Sequence, residues 1–180
     1  VRELGPRDHG HRGWFWASEH DGGGKSLELI NPAMPNDYGQ NWATSTHSKG
    51  TPGMVNSVND ENVAPLILDV THAPIVPRDT EAVVVSARII DELPSGFAVA
   101  LNYRVDVSEY HNDEDIYPHH ELNEYEHVTM FDDGAHGDGA DGDGIYAAAI
   151  PAQRDGAIVE FYIETMDSVF YSRTWPAPSL

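Results

Sequence analysis

Cysteine is absent from the 180 residues, which excludes disulfides, thiolate nucleophiles and zinc sites built on sulfur. Positive charge is scarce. Ten Lys and Arg stand against thirty Asp and Glu, a formal net charge of −20. Such a surface repels the phosphates of nucleic acid and of anionic lipid, so no nucleic-acid partner and no membrane-surface role are expected. Apolar runs are short: none approaches the ~18 residues of a membrane span, and no membrane insertion is expected. A basic-then-apolar leader is missing too. The chain opens Val1-Arg2-Glu3 without a methionine, from which we expect a processed or excised piece of a longer protein.

Signatures of catalysis are also missing. No GxSxG elbow sets a serine nucleophile, and no HExxH helix aims two histidines at one ion. Gly22-Gly23-Gly24-Lys25 precedes a strand, whereas a phosphate-binding loop would open a helix. Glycoside hydrolysis needs one carboxyl whose pKa is raised in an apolar cleft. Neither Glu19 with Glu28 nor Glu121 with Glu124 lies in sequence that suggests such a cleft. No enzymatic activity is expected.

What is present is β sequence. An apolar content of 40% supports a packed core, and no window carries a convincing helical period. Segments 64–70, 81–90, 97–107, 127–131, 144–150, 157–165 and 169–175 are rich in β-branched or aromatic residues and end in Pro, Gly or Asp. Seven short strands of this kind predict an all-β fold, an immunoglobulin-like or fibronectin-III-like antiparallel sandwich. Residues 1–60 have a different texture: Gly and Asn clusters, three of the four tryptophans, and one alternating strand, Ser26-Leu27-Glu28-Leu29-Ile30. The stretch 51–62 reads as a turn and a polar linker. A boundary near Asn59 to Val63 therefore divides a β segment, 1–60, from the sandwich, 61–180.

A sandwich is a scaffold, so function is sought in its loops. In FDDGAHGDGADGDGIY, residues 131–146, five aspartates alternate with five glycines. A hard cation such as Ca²⁺ takes about six to eight oxygen ligands, and glycines let a short chain converge on it. Asp132, Asp133, Asp138, Asp141 and Asp143 are the expected ligands of a Ca²⁺ site. An EF-hand is rejected, because its first position would be Gly139 and its twelfth Ile150. A GGxGxD β-helix needs tandem copies, which are missing. The competing reading is a turn whose aspartates accept hydrogen bonds from the backbone and are otherwise solvated.

Other clusters are weaker. His111, Asp113, Glu114, Asp115, His119 and His120 lie in an acidic loop spanning 106–128, but adjacent histidines on extended chain face opposite ways. A solvated loop is the better account. His136 is expected to be exposed, since calcium prefers oxygen. Trp14 and Trp16 flank Phe15 and would face one way, either as a sugar-stacking platform or into the core, and core packing is favoured. Tyr110 and Tyr117 of the acidic loop are further candidate aromatics for a polysaccharide. Trp42 and Trp175 are expected to plug the ends of their units.

The order of turn residues is also familiar. Asp132-Asp133-Gly134, Gly137-Asp138 and Gly142-Asp143-Gly144-Ile145-Tyr146 form the pattern DDG-x-x-GD-x-x-x-GDG-[IV]-Y. It is followed by Ile150-Pro151-Ala152-Gln153 and a strand of the form VEFYIE-x-x-D from Val159. This resembles immunoglobulin-like modules of large secreted bacterial proteins that carry lamin-tail domains and CotH-type kinase domains. Upstream, GHRGWFW (10–16), DGGGKSLELINP (21–32), NWATS (41–45) and GTPGMVNSV (50–58) resemble the C-terminal part of a lamin-tail domain. Asp141 departs from the pattern, which has a small apolar residue there. The resemblance implies a non-catalytic structural or adhesive module, extracellular or at the bacterial cell surface, joined to other domains of a longer chain. Self-association through sheet edges is expected of such a module. A carbohydrate-binding accessory module of a secreted enzyme is the alternative.

Overall fold

A computed structural model describes residues 19–106 and 124–177. Its strands are β1 Leu27–Leu29, β2 Trp42–Thr44, β3 Leu66–Ala73, β4 Val83–Ile90, β5 Ala98–Asp106, β6 Glu126–Thr129, β7 Ile145–Ile150, β8 Ile158–Met166 and β9 Ser172–Trp175. The last seven correspond one for one to the predicted segments, shifted by up to three residues at most ends. They form two antiparallel sheets, β3-β4-β7 and β6-β5-β8-β9. The chain crosses between these sheets after β4, β6 and β7, which makes a β-sandwich.

Alternation places the core. Val85, Ala87 and Ile89 of β4 face Val99, Leu101 and Tyr103 of β5, with Ile67, Ala148, Ile150, Met130 and Ile163 completing the buried cluster. Trp175 packs at its margin and stacks on Phe161 with ring centroids 6.3 Å apart, in keeping with its expected role as a plug. β3 breaks the alternation. Leu66, Ile67 and Leu68 are all buried, because the strand is covered on both faces. Ile67 enters the sandwich core, while Leu66 and Leu68 join Met34 and Val63, with Ile30, Tyr38 and Ile90 around them. The continuous run Leu66-Ile67-Leu68 is the sequence trace of that double burial.

Residues 19–62 fold back against the sandwich with little regular structure. β1 and β2 pair, and a 3-10 turn at Gly39–Asn41 leads into β2, a strand the sequence did not suggest. The hydrogen bonds come largely from buried side chains. Asn41, fully buried, accepts the Asn31 amide at 2.9 Å and donates to the carbonyls of Asn31 and Pro35. Glu28 is 4% exposed and accepts from Ser26 Oγ, Thr51 Oγ1, and both the amide and hydroxyl of Ser57. The hydrogen bond from Thr51, with those from Ser57 and Ser26, holds the Glu28 carboxyl down to about 2 against the opposing effect of burial. The stretch read as a polar linker is thus tied to β1, also through Asn56 Nδ2 to the Leu29 carbonyl.

Gln40 joins the two parts. Its amide oxygen accepts the Ile67 N–H at 2.9 Å, and its Nε2 donates to the Ile67 carbonyl at 2.7 Å. One side chain thereby does for the free edge of β3 what a neighbouring strand would do. Arg173 of β9 lies behind it, donating to the carbonyls of Gln40 at 3.1 Å and Ala64 at 3.2 Å. Burial pushes the Arg173 pKa down to about 10, and the guanidinium keeps its charge at neutral pH. Gln40→Ala orphans a buried N–H and C=O of Ile67, at a cost of about 1–3 kcal/mol. The expected result is a lower urea midpoint at unchanged m-value, with faster hydrogen exchange at Ile67. An unchanged midpoint would show that β3 does not need this partner.

Candidate functional site

The Asp/Gly loop is the crossover from β6 in one sheet to β7 in the other. Its base is closed by Phe131 and Ala147, which exchange backbone hydrogen bonds of 3.0 and 2.9 Å. Within it, carboxylates turn toward amides. Asp138 is 2% exposed; its Oδ2 accepts the N–H groups of Asp133 at 2.7 Å and Gly134 at 2.6 Å, and its Oδ1 that of His136 at 3.0 Å. Asp132 spans the other half, accepting from Gly142 and Asp143 through Oδ1 and from Gly144 through Oδ2. Asp143 accepts from Ala140 and Ile145, and Asp133 from Ala135. The loop is two interlocked turns, each wound around a carboxylate.

The glycines permit this winding. Gly134 has φ +69°, and a Cβ there would stand 3.1 Å from the Asp141 amide nitrogen. Gly137 has φ +85°, and a Cβ would press on Val84 of β4 at 3.0 Å. Both need the left-handed region and the missing side chain. The amides also set the charge state. Hydrogen bonds from the Gly134, His136 and Asp133 amides hold the Asp138 pKa low against burial, and the His136 ring does the same for Asp133. His136 is partly exposed, as expected, and stacks on Phe131 at 4.6 Å.

Of the five predicted calcium ligands, Asp132, Asp133, Asp138 and Asp143 are brought into one loop but face different amides. Asp141 is exposed, and its carboxylate accepts no hydrogen bond among the described residues. No group of three His, Asp or Glu arranged to hold a metal ion occurs among the described residues. Six to eight oxygens at about 2.3–2.6 Å from one point are what Ca²⁺ requires. In this arrangement the carboxylates do not form that cage. The aromatic candidates Trp14, Trp16, Tyr110 and Tyr117, and the histidine cluster 111–120, lie outside the described residues.

Two further carboxylate sites were not singled out from the sequence. Asp167, 6% exposed, closes the turn between β8 and β9 by accepting from the Val169 and Tyr171 amides through Oδ1, while Oδ2 accepts from Asn62 Nδ2. Burial raises its pKa, but Asn62 and the Tyr171, Val169 and Phe170 amides outweigh it and leave the carboxyl low. The signal was the Asp of the pattern VEFYIE-x-x-D, which marks a turn without saying what the turn holds. The second site is Asp91 with Glu92, at the end of β4. Glu92 Oε1 accepts from Asn31 Nδ2 at 2.8 Å and from the Val63 amide at 2.9 Å, so it faces the segment 19–62. Asp91 Oδ1 and Glu92 Oε2 are buried without a partner. Burial, with the Glu92 carboxyl beside it, pushes the Asp91 pKa up to about 6.

Comparison with models of known protein families gives no match, and no curated protein matches the chain.

These carboxyls predict opposite pH dependences. The unfolded chain binds the Glu28 proton more tightly than the folded protein does, so the stability from Glu28 is present above about pH 4.5 and is lost as pH falls toward 2. Asp91 works the other way. The folded protein binds its proton more tightly, so stability falls as pH rises from about 4 to about 6, and the cost persists above that range. Asp91→Asn therefore stabilises at pH 7 by on the order of 1 kcal/mol, less than the full shift implies for a partly wet group, and has little effect at pH 4. Chemical unfolding at both pH values checks this, and equal effects at the two would show that Asp91 does not bind its proton more tightly in the folded protein.

Proposed function

We propose that this chain is a non-catalytic structural module of a longer extracellular or bacterial cell-surface protein, an immunoglobulin-like sandwich with a lamin-tail-like segment clamped to it. The observation that carries the reading is where the buried polar groups are spent. Glu28, Asn31, Gln40, Asn41, Asp138 and Asp167 are buried, and each holds backbone or a neighbouring turn. That is the chemistry of a stiff connector. The strand order β3-β4-β7 and β6-β5-β8-β9, with crossovers after β4, β6 and β7, supports the immunoglobulin-like assignment within the sandwich class.

The Asp/Gly loop serves this role by stiffening the crossover between the sheets. Asp132 and Asp138 satisfy the amides of a tight turn by hydrogen bonds alone. Calcium at Asp132, Asp133, Asp138, Asp141 and Asp143 belongs to the proposal as a conditional feature. Binding would require some of these carboxylates to exchange an amide for the ion and turn toward a common point.

Thermal unfolding in EDTA and again in millimolar CaCl₂, with MgCl₂ as control, separates the two forms of the loop. The ion-free reading expects equal midpoints, and a drop of several degrees in Asp138→Ala under all three conditions. A calcium-specific rise in the unaltered chain that vanishes in Asp138→Ala would make the loop an ion site and overturn the ion-free form. The structural reading itself is tested by titrating immobilised and soluble polysaccharides. Saturable binding of a glycan, lost on Trp14→Ala or Tyr117→Ala, would replace it with the carbohydrate-binding alternative.

A further inference from the structure

At the end of the sandwich where β8 turns into β9, Val169, Phe170 and Tyr171 stand in solvent, 58%, 78% and 45% exposed. The turn is preorganised. Asp167 ties the amides of Val169 and Tyr171, and Phe170 sits at φ +71°, a left-handed conformation that a bulky residue adopts only when its surroundings impose it. Residues 60–63 and the β4–β5 loop lie alongside. The Tyr171 hydroxyl is 3.5 Å from the Asp60 carboxylate, Asn62 donates to Asp167, and Glu92 accepts the Val63 amide. Leu93, next to Glu92, is exposed as well. Apolar side chains held outward on a stiffened turn mark a contact surface.

The charge around this turn is of one sign. Stretches 60–63, 91–97 and 167–171 hold Asp60, Glu61, Asp91, Glu92 and Asp167, and no Lys or Arg. The Asp/Gly loop, at the same end of the sandwich, adds five aspartates and again no base. Arg173, two residues beyond Tyr171, is turned to the carbonyls of Gln40 and Ala64. Elsewhere the molecule shows what a tyrosine beside an acid takes. Arg88 lies over the Tyr38 ring, 5.7 Å from its centroid, and pairs with Asp69; Arg104 lies over Tyr125 at 4.4 Å and pairs with Glu160. Ring, guanidinium and carboxylate form one unit in both places. Tyr171 and Asp60 repeat the ring and the carboxylate, and no arginine among the described residues completes them.

We propose that the Val169-Phe170-Tyr171 turn docks an arginine-bearing, basic and apolar segment of another protein, with one arginine between the Tyr171 ring and the Asp60 carboxylate. Apolar side chains of that segment cover Phe170 and Val169, and the acids around the turn hold its remaining positive charge. A second copy of this chain is a poor match. Its arginines at the opposite end, Arg78 and Arg154, lie among Asp79, Glu81 and Asp155, and each copy carries a formal charge of −20. Opposite charge speeds the encounter and fixes the register, while the apolar anchor slows release. Binding therefore weakens as salt rises. Such a partner presupposes the structural reading above, for which it supplies the contact.

The test is fluorescence anisotropy of labelled synthetic peptides titrated with the full chain, at low salt and at about 1 M salt, where the screening length is about 3 Å. A peptide alternating Arg and Leu is expected to bind saturably and more tightly at low salt. One alternating Arg and Ser should bind more weakly, and one alternating Glu and Leu not at all. Phe170→Asn removes the ring but keeps a residue that tolerates the left-handed turn, and Asp60→Asn removes one charge. Each should weaken binding of the Arg-Leu peptide by tenfold or more, as expected for a central anchor. Both positions are exposed, so the melting curves should stay close to that of the unaltered chain. Val76→Asn and Glu81→Gln, at the opposite end, match these changes in kind and should leave the affinity unchanged. Equal losses from Asp60→Asn and Glu81→Gln would reduce the binding to a general attraction for an acidic chain and overturn the docking site. Failure of the Arg-Leu peptide to bind, or equal binding of the Glu-Leu peptide, overturns it too. None of these results touches the structural reading, which is judged by glycan binding.

Discussion

Everything in the arrangement of this molecule depends on how the open edge of β3 is closed. An edge strand presents unpaired N–H and C=O groups, and a strand buried on both faces cannot leave them to water. Gln40 supplies both partners from a single side chain, and its own carbonyl is held by Arg173 from the opposite sheet. Three parts of the chain, distant in sequence, meet at one residue of β3. The second apolar cluster, Met34 with Val63, Leu66 and Leu68, can be dry only because this edge is sealed.

A second theme is the use of carboxylates as internal fasteners. The chain has thirty acidic residues and ten basic ones, and the buried acids Glu28, Asp138 and Asp167 have no cationic partner among the described residues. It surrounds them with N–H and O–H donors instead. Asp138, Asp132 and Asp167 each gather amides of one turn, and Glu28 gathers three hydroxyls and an amide. Such donors favour the charged form, so Glu28, Asp138 and Asp167 stay ionised while removed from water. Irregular backbone, which has no ladder to satisfy it, is held in shape by these side chains.

The strands were legible because alternation and punctuation are local properties, and the seven segments of the sandwich were read from them. The composition of the Asp/Gly loop marked it at once, but both readings of that loop use the same residues, and only the directions of Asp132 and Asp138 show which atoms they meet. Glu28 looked like one more surface acid on an alternating strand. Its burial follows from Thr51 and Ser57, which sequence alone placed in a linker. Gln40 gave no signal: its partner, Ile67, is 27 residues away and is met through backbone atoms that carry no sequence identity. Least legible in the sequence is the region 19–62, whose order comes from side-chain hydrogen bonds and not from periodicity.

The clamp at Gln40 has a consequence for how the molecule comes into being. A ribosome releases residues 19–62 first, yet Ile67 follows Gln40 by 27 positions and Arg173 by 133. Until β9 has emerged, Gln40 lacks the guanidinium that fixes its carbonyl, and the early segment waits on the chain behind it. The sandwich itself closes long spans, pairing Val83 with Ile150 and Ala98 with Met166. The clamp is thus complete only when the chain through Arg173 is present, although Gln40 is made early.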